Sequence, residues 1–182
     1  MSLPVVAVGG PPGGGKSTAG RLVAAELGLE YLSAGDVFRR EAKARGLDLE
    51  AFGRYAEEHP EVDRGLDTRM QALARPGVLL DGRIQGALCR RHGTPVASIV
   101  VTAAADERAR RVAGRDGQSV EEARRAIALR EASERTRYLR FYGIDLDREP
   151  ADLEVDSTTT PAHAVAASIV AYLKRRAETA AP

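Results

Sequence analysis

Residues 5–18 read Val5-Val6-Ala7-Val8-Gly9-Gly10-Pro11-Pro12-Gly13-Gly14-Gly15-Lys16-Ser17-Thr18, and helical spacing follows over Lys16–Leu27. A strand that runs through a glycine-rich loop into a helix leaves few folds open. Gly10, four intervening residues, Gly15, Lys16 and Ser17 satisfy the phosphate-loop pattern. Glycine lets successive N–H groups turn toward one anion, and the helix N-terminus adds unpaired N–H groups and its dipole. Lys16 supplies a point charge for β- and γ-phosphates, and the Ser17 hydroxyl can ligate Mg²⁺. The expected ligand is a nucleoside triphosphate. This motif is shared by GTPases, ATPases, motors and small-molecule kinases, so it does not name the reaction.

The remaining pattern is consistent with one α/β domain. Apolar β-branched runs at Leu3–Val8, Leu29–Leu32, Val78–Leu80, Ser98–Thr102 and Leu153–Val155 alternate with segments of helical spacing. The helices are expected at Lys16–Leu27, Gly35–Arg45, Leu49–Glu58, Glu61–Ala74, Arg83–Arg91, Ala105–Ala113, Val120–Phe141 and Ala162–Arg176. Alternation of this kind predicts βαβ crossovers and a five-stranded parallel sheet with helices on both faces. About forty residues separate the second and third strands, more than one crossover helix needs. The expected division is a core of 1–34, 76–113 and 131–178, an insert of 35–75, a second insert of 114–130, and an unordered tail at 179–182.

Composition narrows the function classes. The 182 residues carry 27 Lys+Arg and 26 Asp+Glu, a net charge of +1, which argues against a nucleic-acid coat. Only Lys16, Lys43 and Lys174 are lysine, so arginine is the chain's habitual cation. Arginine clusters therefore weigh little by themselves, and the placement of Lys16 weighs more. Cys89 is the single cysteine, which excludes an internal disulfide and a cysteine-built zinc site and suits a reducing compartment. No run reaches the ~18 apolar residues of a membrane span, and no signal-peptide pattern opens the chain. The expectation is a cytoplasmic monomer that binds small molecules, with neither nucleic acid nor membrane as a partner.

Ser33-Ala34-Gly35-Asp36-Val37-Phe38-Arg39 follows the second strand, at the strand end where ligands of open α/β sheets bind. Arg39 either forks onto a second phosphate or is a surface arginine on a helix capped near Asp36. Asp63 and Asp67, spaced i, i+4, either accept from an acceptor base or lie on a solvated helix face. Glu131 with Arg135, and Glu134 with Tyr138, also stand at i, i+4. They either steady neighbouring arginines or lace an exposed helix. His59, His92 and His163 have no metal-ligand spacing.

These segments together resemble the nucleoside monophosphate kinases. Ser33-Ala34-Gly35-Asp36 through Arg39 is similar to their Ser/Thr-x-Gly-Asp-x-x-Arg motif. Leu79-Leu80-Asp81-Gly82-Arg83 resembles the Asp-Gly-Arg of cytidylate kinases. Ile84-Gln85-Gly86 and Tyr142-Gly143-Ile144-Asp145 look like the archaeal-type branch. Arg111-Val112-Ala113-Gly114-Arg115 resembles the lid entrance of adenylate kinases. Arg130-Glu131-Ala132-Ser133-Glu134-Arg135-Thr136-Arg137 resembles the arginine run of cytidylate kinases, and Asp156-Ser157-Thr158 resembles their loop beside the donor adenine.

The resemblance implies a P-loop fold with a helical NMP-binding insert at 35–75 and a short lid at 114–130. It implies Mg-dependent transfer from ATP to CMP or dCMP. Gly10, Pro11, Pro12, Gly13, Gly14, Gly15, Lys16, Ser17, Thr18, Arg111 and Thr158 would hold ATP. Ser33, Gly35, Asp36, Arg39, Asp81, Gly82, Arg83, Arg130, Glu134 and Arg137 would hold the acceptor, and Ser17 and Asp81 would serve Mg²⁺. Lys16, Arg83, Arg111, Arg115 and Arg137 would carry the catalysis. The alternatives are UMP or AMP as acceptor, a small hydroxyl acceptor of the shikimate or gluconate kind, and a nucleotide-binding regulator without transfer.

Overall fold

The computed structural model describes residues 3–179, so the expected tail lies, from 180 on, outside the described residues. Five strands and eight helices follow in the order β1 (Val5–Gly9), α1 (Lys16–Leu27), β2 (Glu30–Ser33), α2 (Ala34–Ala44), α3 (Leu49–Glu58), α4 (Pro60–Ala72), β3 (Val78–Asp81), α5 (Gln85–Arg91), β4 (Val96–Thr102), α6 (Ala105–Asp116), α7 (Val120–Tyr142), β5 (Leu153–Asp156) and α8 (Ala162–Thr179). The strands form one parallel sheet in the order β2-β3-β1-β4-β5. The five-stranded parallel sheet and its flanking helices are those that the alternation predicts.

Strand β1 is central and its side chains are buried on both faces, which is why it reads as an unbroken apolar run. Val6 and Val8 point to one face with Leu79, Ile99 and Val101, beneath Val23 of α1 and Ile169 and Leu173 of α8. Val5 and Ala7 point to the other with Leu80 and Cys89, beneath Leu66 and Met70 of α4. The period-2 alternation of a strand thus feeds two cores. Cys89 is fully buried and packs there as a small apolar side chain. A third cluster joins α6 to α7 through Ala109, Val112, Ala123 and Ile127, and a fourth joins α2, α3 and α4 around Phe52.

Register brings the motifs to one edge. Ser33 of β2 stands opposite Asp81 of β3, Asp81 opposite Val8 of β1, and Thr102 of β4 opposite Asp156 of β5. Residues 35–75 fold into three helices, α2 to α4, with only His59 between α3 and α4.

The second insert departs from expectation. Helix α6 does not end at Ala113 but runs through Gly114 to Asp116, where Gly117, in the left-handed region at φ 68°, closes it. Gly114 is therefore interior to a helix, and the chain turns only over 117–119. Helix α7 starts there behind a Ser119–Glu122 capping box and runs unbroken past 130, the expected edge of the insert. Helix α2 starts at Ala34, one residue ahead of the expected Gly35.

Candidate active site

The loop between β1 and α1 is shaped by contact with backbone. Gly10 has φ 140°, and a Cβ there would lie 2.1 Å from the Val101 carbonyl oxygen. Gly13 has φ 78°, and a Cβ there would meet the Arg108 carbonyl and Cβ at 2.8 and 2.9 Å. Glycine is required at both positions on steric grounds. Pro11, Pro12 and Gly14 complete the bend, with the Gly14 N–H donating to the Pro11 carbonyl at 3.1 Å. Gly15 leads into Lys16 and Ser17 in the first turn of α1, while Thr18 beside them is exposed.

Around Lys16 gather Asp81 and Arg83 from the end of β3, and Arg130 and Glu134 from α7. Burial, reinforced by Arg130 and Arg83, pushes the Lys16 ammonium down to about 8, against the opposing pull of Asp81 and Glu134. Glu134 is 4% exposed and accepts from Arg130 Nε at 2.8 Å, with Arg83 Nε 3.6 Å from its second oxygen. Burial would raise its carboxyl, but Arg130, Arg83 and Lys16 outweigh that and hold it below the usual range. Arg83 Nε and Glu134 Oε2 are both buried without a hydrogen bond. A cluster of three cations over two carboxylates, with one donor, Arg83 Nε, left without a partner, is built to receive more negative charge than the protein itself supplies.

Asp81 is 2% exposed and accepts from the Tyr31 phenol of β2. Burial, with Asp81 beside it, pushes that phenol well above its ordinary value, so it remains a donor. Gly82 follows, and a Cβ there would stand 2.8 Å from Gln85 Cγ and 3.0 Å from Ala34 Cβ.

Arg111 lies beside the loop. It donates to the Ser157 hydroxyl at 2.8 Å and the Ser157 carbonyl at 2.6 Å, and Ser157 Oγ donates to the Gly14 carbonyl at 3.0 Å. Thr158 fixes the start of α6, accepting from Ala104 N at 2.8 Å. Arg115, by contrast, is exposed and paired with Asp116 at 2.7 Å.

On the opposite flank Ser33 caps α2, accepting from Asp36 N at 3.2 Å. Asp36 holds Arg39 at 2.5 Å and Arg21 at 3.0 Å. Burial raises the Asp36 carboxyl, but the two arginines hold it below its usual value.

Three readings of the sequence need correction. Asp63 and Asp67 are not on a solvated face: they are 4% and 6% exposed. Both oxygens of Asp63 accept from Arg137 Nη1 at 2.6 Å, and Asp67 accepts from Tyr142 at 2.6 Å and Gln85 at 2.9 Å. Burial moves Asp67 up to about 6. Arg137, expected with Arg130 among the residues that hold the acceptor, is therefore drawn to α4, packed over the Phe38 ring at 5.3 Å. Seven residues of helix put the two arginines on one face but about 10 Å apart along it. Finally, Glu131 does not pair with Arg135. Glu131 accepts from Arg108 at 2.7 Å, and Arg135 reaches Asp147. The i, i+4 pair on this helix is Arg130 with Glu134.

Two contributors escaped the sequence reading. Arg108 donates to the Pro12 carbonyl at 3.2 Å and ties the loop to α7. Tyr31 lies within an ordinary strand pattern. A groove of about 720 Å³ between α4, α5 and the end of α7 lies behind Asp67 and Tyr142, away from the loop. The charged cluster at the sheet edge, rather than this groove, has the means to handle phosphate.

Comparison with known proteins bears on what this edge serves. Residues 9–127 match the family described as "AAA domain". The cytidylate kinase of Pyrobaculum arsenaticum is 42% identical over 156 residues, which cover 85% of this chain and 84% of that protein. The cytidylate kinase of Methanopyrus kandleri is 41% identical over 83% of this chain and 80% of its own. Among solved structures, shikimate kinase from Acinetobacter baumannii covers 96% of this chain and 94% of its own at 21% identity, with a TM-score of 0.60. A gluconokinase from Sinorhizobium meliloti covers 97% and 94% at 18% identity, with a TM-score of 0.58. These two structures speak for the fold alone. Identity near 40%, sustained over more than four fifths of the chain, goes further, and on that ground the chain belongs to the cytidylate kinase family.

Proposed function

We propose that this chain transfers the γ-phosphate of ATP to CMP or dCMP, giving ADP and the corresponding diphosphate. The observation that carries this reading is the cluster of half-buried Lys16, Arg83 and Arg130 around the buried carboxylates of Asp81 and Glu134, at the mouth of a phosphate loop. Phosphoryl transfer passes through a loose transition state, so the protein's work is alignment and charge stabilisation. An acceptor phosphate oxygen bonds to the γ-phosphorus as the bond to the β,γ-bridging oxygen breaks, and ADP departs with that electron pair. Lys16 and the loop N–H groups hold the donor. Arg39 and Arg83 hold the acceptor phosphate, and Arg130, steadied by Glu134, faces the group in transit. Arg111 and Arg115 close over the donor and exclude water, which would otherwise hydrolyse ATP.

Ser17 and Asp81 offer oxygen donors suited to Mg²⁺. No group of three or more His, Cys, Asp or Glu able to hold a metal occurs among the described residues. That donor set fits a cation carried mainly by phosphates and water, as Mg²⁺ is. When bound, Mg²⁺ neutralises charge on the β- and γ-phosphates. Residues 35–75 form the acceptor arm, and the α6–α7 turn forms the lid.

An ADP-release assay with ATP across CMP, dCMP, UMP, AMP, shikimate and gluconate tests the reading. Highest kcat/KM is expected with CMP or dCMP. Preference for AMP, or for a hydroxyl acceptor, would overturn it.

A further inference from the structure

Tyr31 occupies an unusual position for a residue on an edge strand. Its ring has a built seat: a Cβ on Gly20 of α1 would stand 3.3 Å from Tyr31 Cε2, so only glycine leaves the ring undisturbed there. The Arg21 guanidinium covers the ring, 4.4 Å from its centre. Held in this way, the phenol is aimed at Asp81 Oδ2, with the Ser17 hydroxyl alongside. Ser17 and Asp81 are the two oxygen donors assigned to the cation, and the Tyr31 phenol neighbours both. Arg21 extends the connection, since its guanidinium also donates to Asp36 at 3.0 Å, and Asp36 holds Arg39 at 2.5 Å.

We propose that Tyr31 is a positioning residue for the divalent cation. It occupies Asp81 Oδ2, fixes the plane of that carboxylate, and leaves Oδ1 to face the cation's water shell. The inference rests on the proposed function only in giving Asp81 a place beside the cation. A carboxylate's terminal torsion is broad when nothing holds it, so one fixed donor removes rotational freedom that cation binding would otherwise have to quench. Arg21 keeps the ring in place and joins it to the acceptor arm.

The test uses the full chain with Tyr31→Phe, which keeps the ring and its stacking and removes only the hydroxyl. Mn²⁺ binding in the presence of a non-hydrolysable ATP analogue, followed by electron paramagnetic resonance, is expected to weaken about tenfold, in the range for loss of a partner behind a metal ligand. Half-saturating Mg²⁺ for turnover should rise in step. Binding of the analogue in EDTA and the KM for CMP should stay as in wild type, a split that general loosening of the fold would not give. In an Asp81→Asn background, Tyr31→Phe should add little further loss of Mn²⁺ affinity. Arg21→Ala, which keeps the phenol but uncovers its ring, should weaken Mn²⁺ binding less than Tyr31→Phe and also raise the KM for CMP. Unchanged Mn²⁺ affinity in Tyr31→Phe would overturn the proposal, as would equal weakening of metal-free nucleotide binding. If wild type proves inactive with CMP, the proposed function fails, yet the Mn²⁺ measurement still decides the role of Tyr31.

Discussion

The phosphate loop and the proposed acceptor arm border the same sheet edge but are held there by different means. The loop is confined by backbone: the Val101 carbonyl closes on Gly10 and the Arg108 backbone on Gly13. The start of the arm is confined by half-exposed charges, Asp36 with Arg39 and Arg21. A steric seat has one shape. Ion pairs at such exposure contribute about 0–1 kcal/mol and exchange partners readily when a phosphate arrives. The donor side is thus formed in advance and the acceptor side is adjustable, except where Arg137 and Asp63 pin α4 to α7 in the interior.

The largest effect should fall on the donor side. Lys16→Ala removes a charge that the loop cannot replace, and kcat with CMP should drop roughly 10³-fold, about 4 kcal/mol. A loss of only a few-fold in steady-state assays would mean that the preformed half is not where the reaction is driven. Next comes the interior pin. Asp63→Ala leaves Arg137 buried and unpaired and should cost about 3–4 kcal/mol in denaturant unfolding. Asp36→Ala, on the exposed arm, should cost under about 1 kcal/mol. Comparable losses would erase the distinction between pinned and adjustable contacts.

Asp67 adds a pH signature to the pinned region. It titrates near about 6 in the fold, against about 3.9 for an unfolded aspartate. Between those values the folded chain keeps a proton that the unfolded chain has released. Its contribution is therefore complete below about pH 4 and is lost as pH rises through 6. The loss amounts to at most about 3 kcal/mol. Asp67→Asn should remove that share of the slope, and urea unfolding of both proteins from pH 4 to 7 isolates it from the neighbouring carboxylates. Parallel stability curves would show that Asp67 ionises freely. On activity, a smaller effect than that of Lys16→Ala is expected from Arg39→Ala. KM for CMP should rise about tenfold while ATP affinity and melting temperature barely move, as for a charged hydrogen bond lost from an adjustable arm. Equal weakening of both nucleotides in calorimetry would place Arg39 outside a separate acceptor site.

The fold was legible because its signals are local. Buried parallel strands read as continuous apolar runs, and caps and glycines punctuate the helices, so α1 and α3 run over the expected residues. The same is true of the phosphate loop, whose parts are contiguous. What was not legible depends on partners distant in the chain. Asp63 and Asp67 look solvent-facing beside Arg64 and Arg69, and nothing nearby announces Arg137, 74 residues away, or Tyr142. Arg108 is one arginine among many in an arginine-rich chain, and Tyr31 fits any strand. Gly114 marked the expected end of α6 because glycine often ends helices, but the apolar contacts that join α6 to α7 carry the helix through it.

Helix α7 is 23 residues long, about 35 Å of uninterrupted rod. Glu131 at its midpoint reaches the loop through Arg108. Arg130 and Glu134 border Lys16, Arg137 grips α4, and the Tyr142 hydroxyl reaches Asp67 at the far end. Because these stations share one stiff body, on the proposed function a tilt that lowered the lid end would also displace the end that grips the acceptor arm. Opening and closing would then be coupled, and each nucleotide that settled the rod would do part of the ordering that the other needs. Linkage makes that help reciprocal: whatever factor CMP adds to the affinity for ATP, ATP adds to the affinity for CMP.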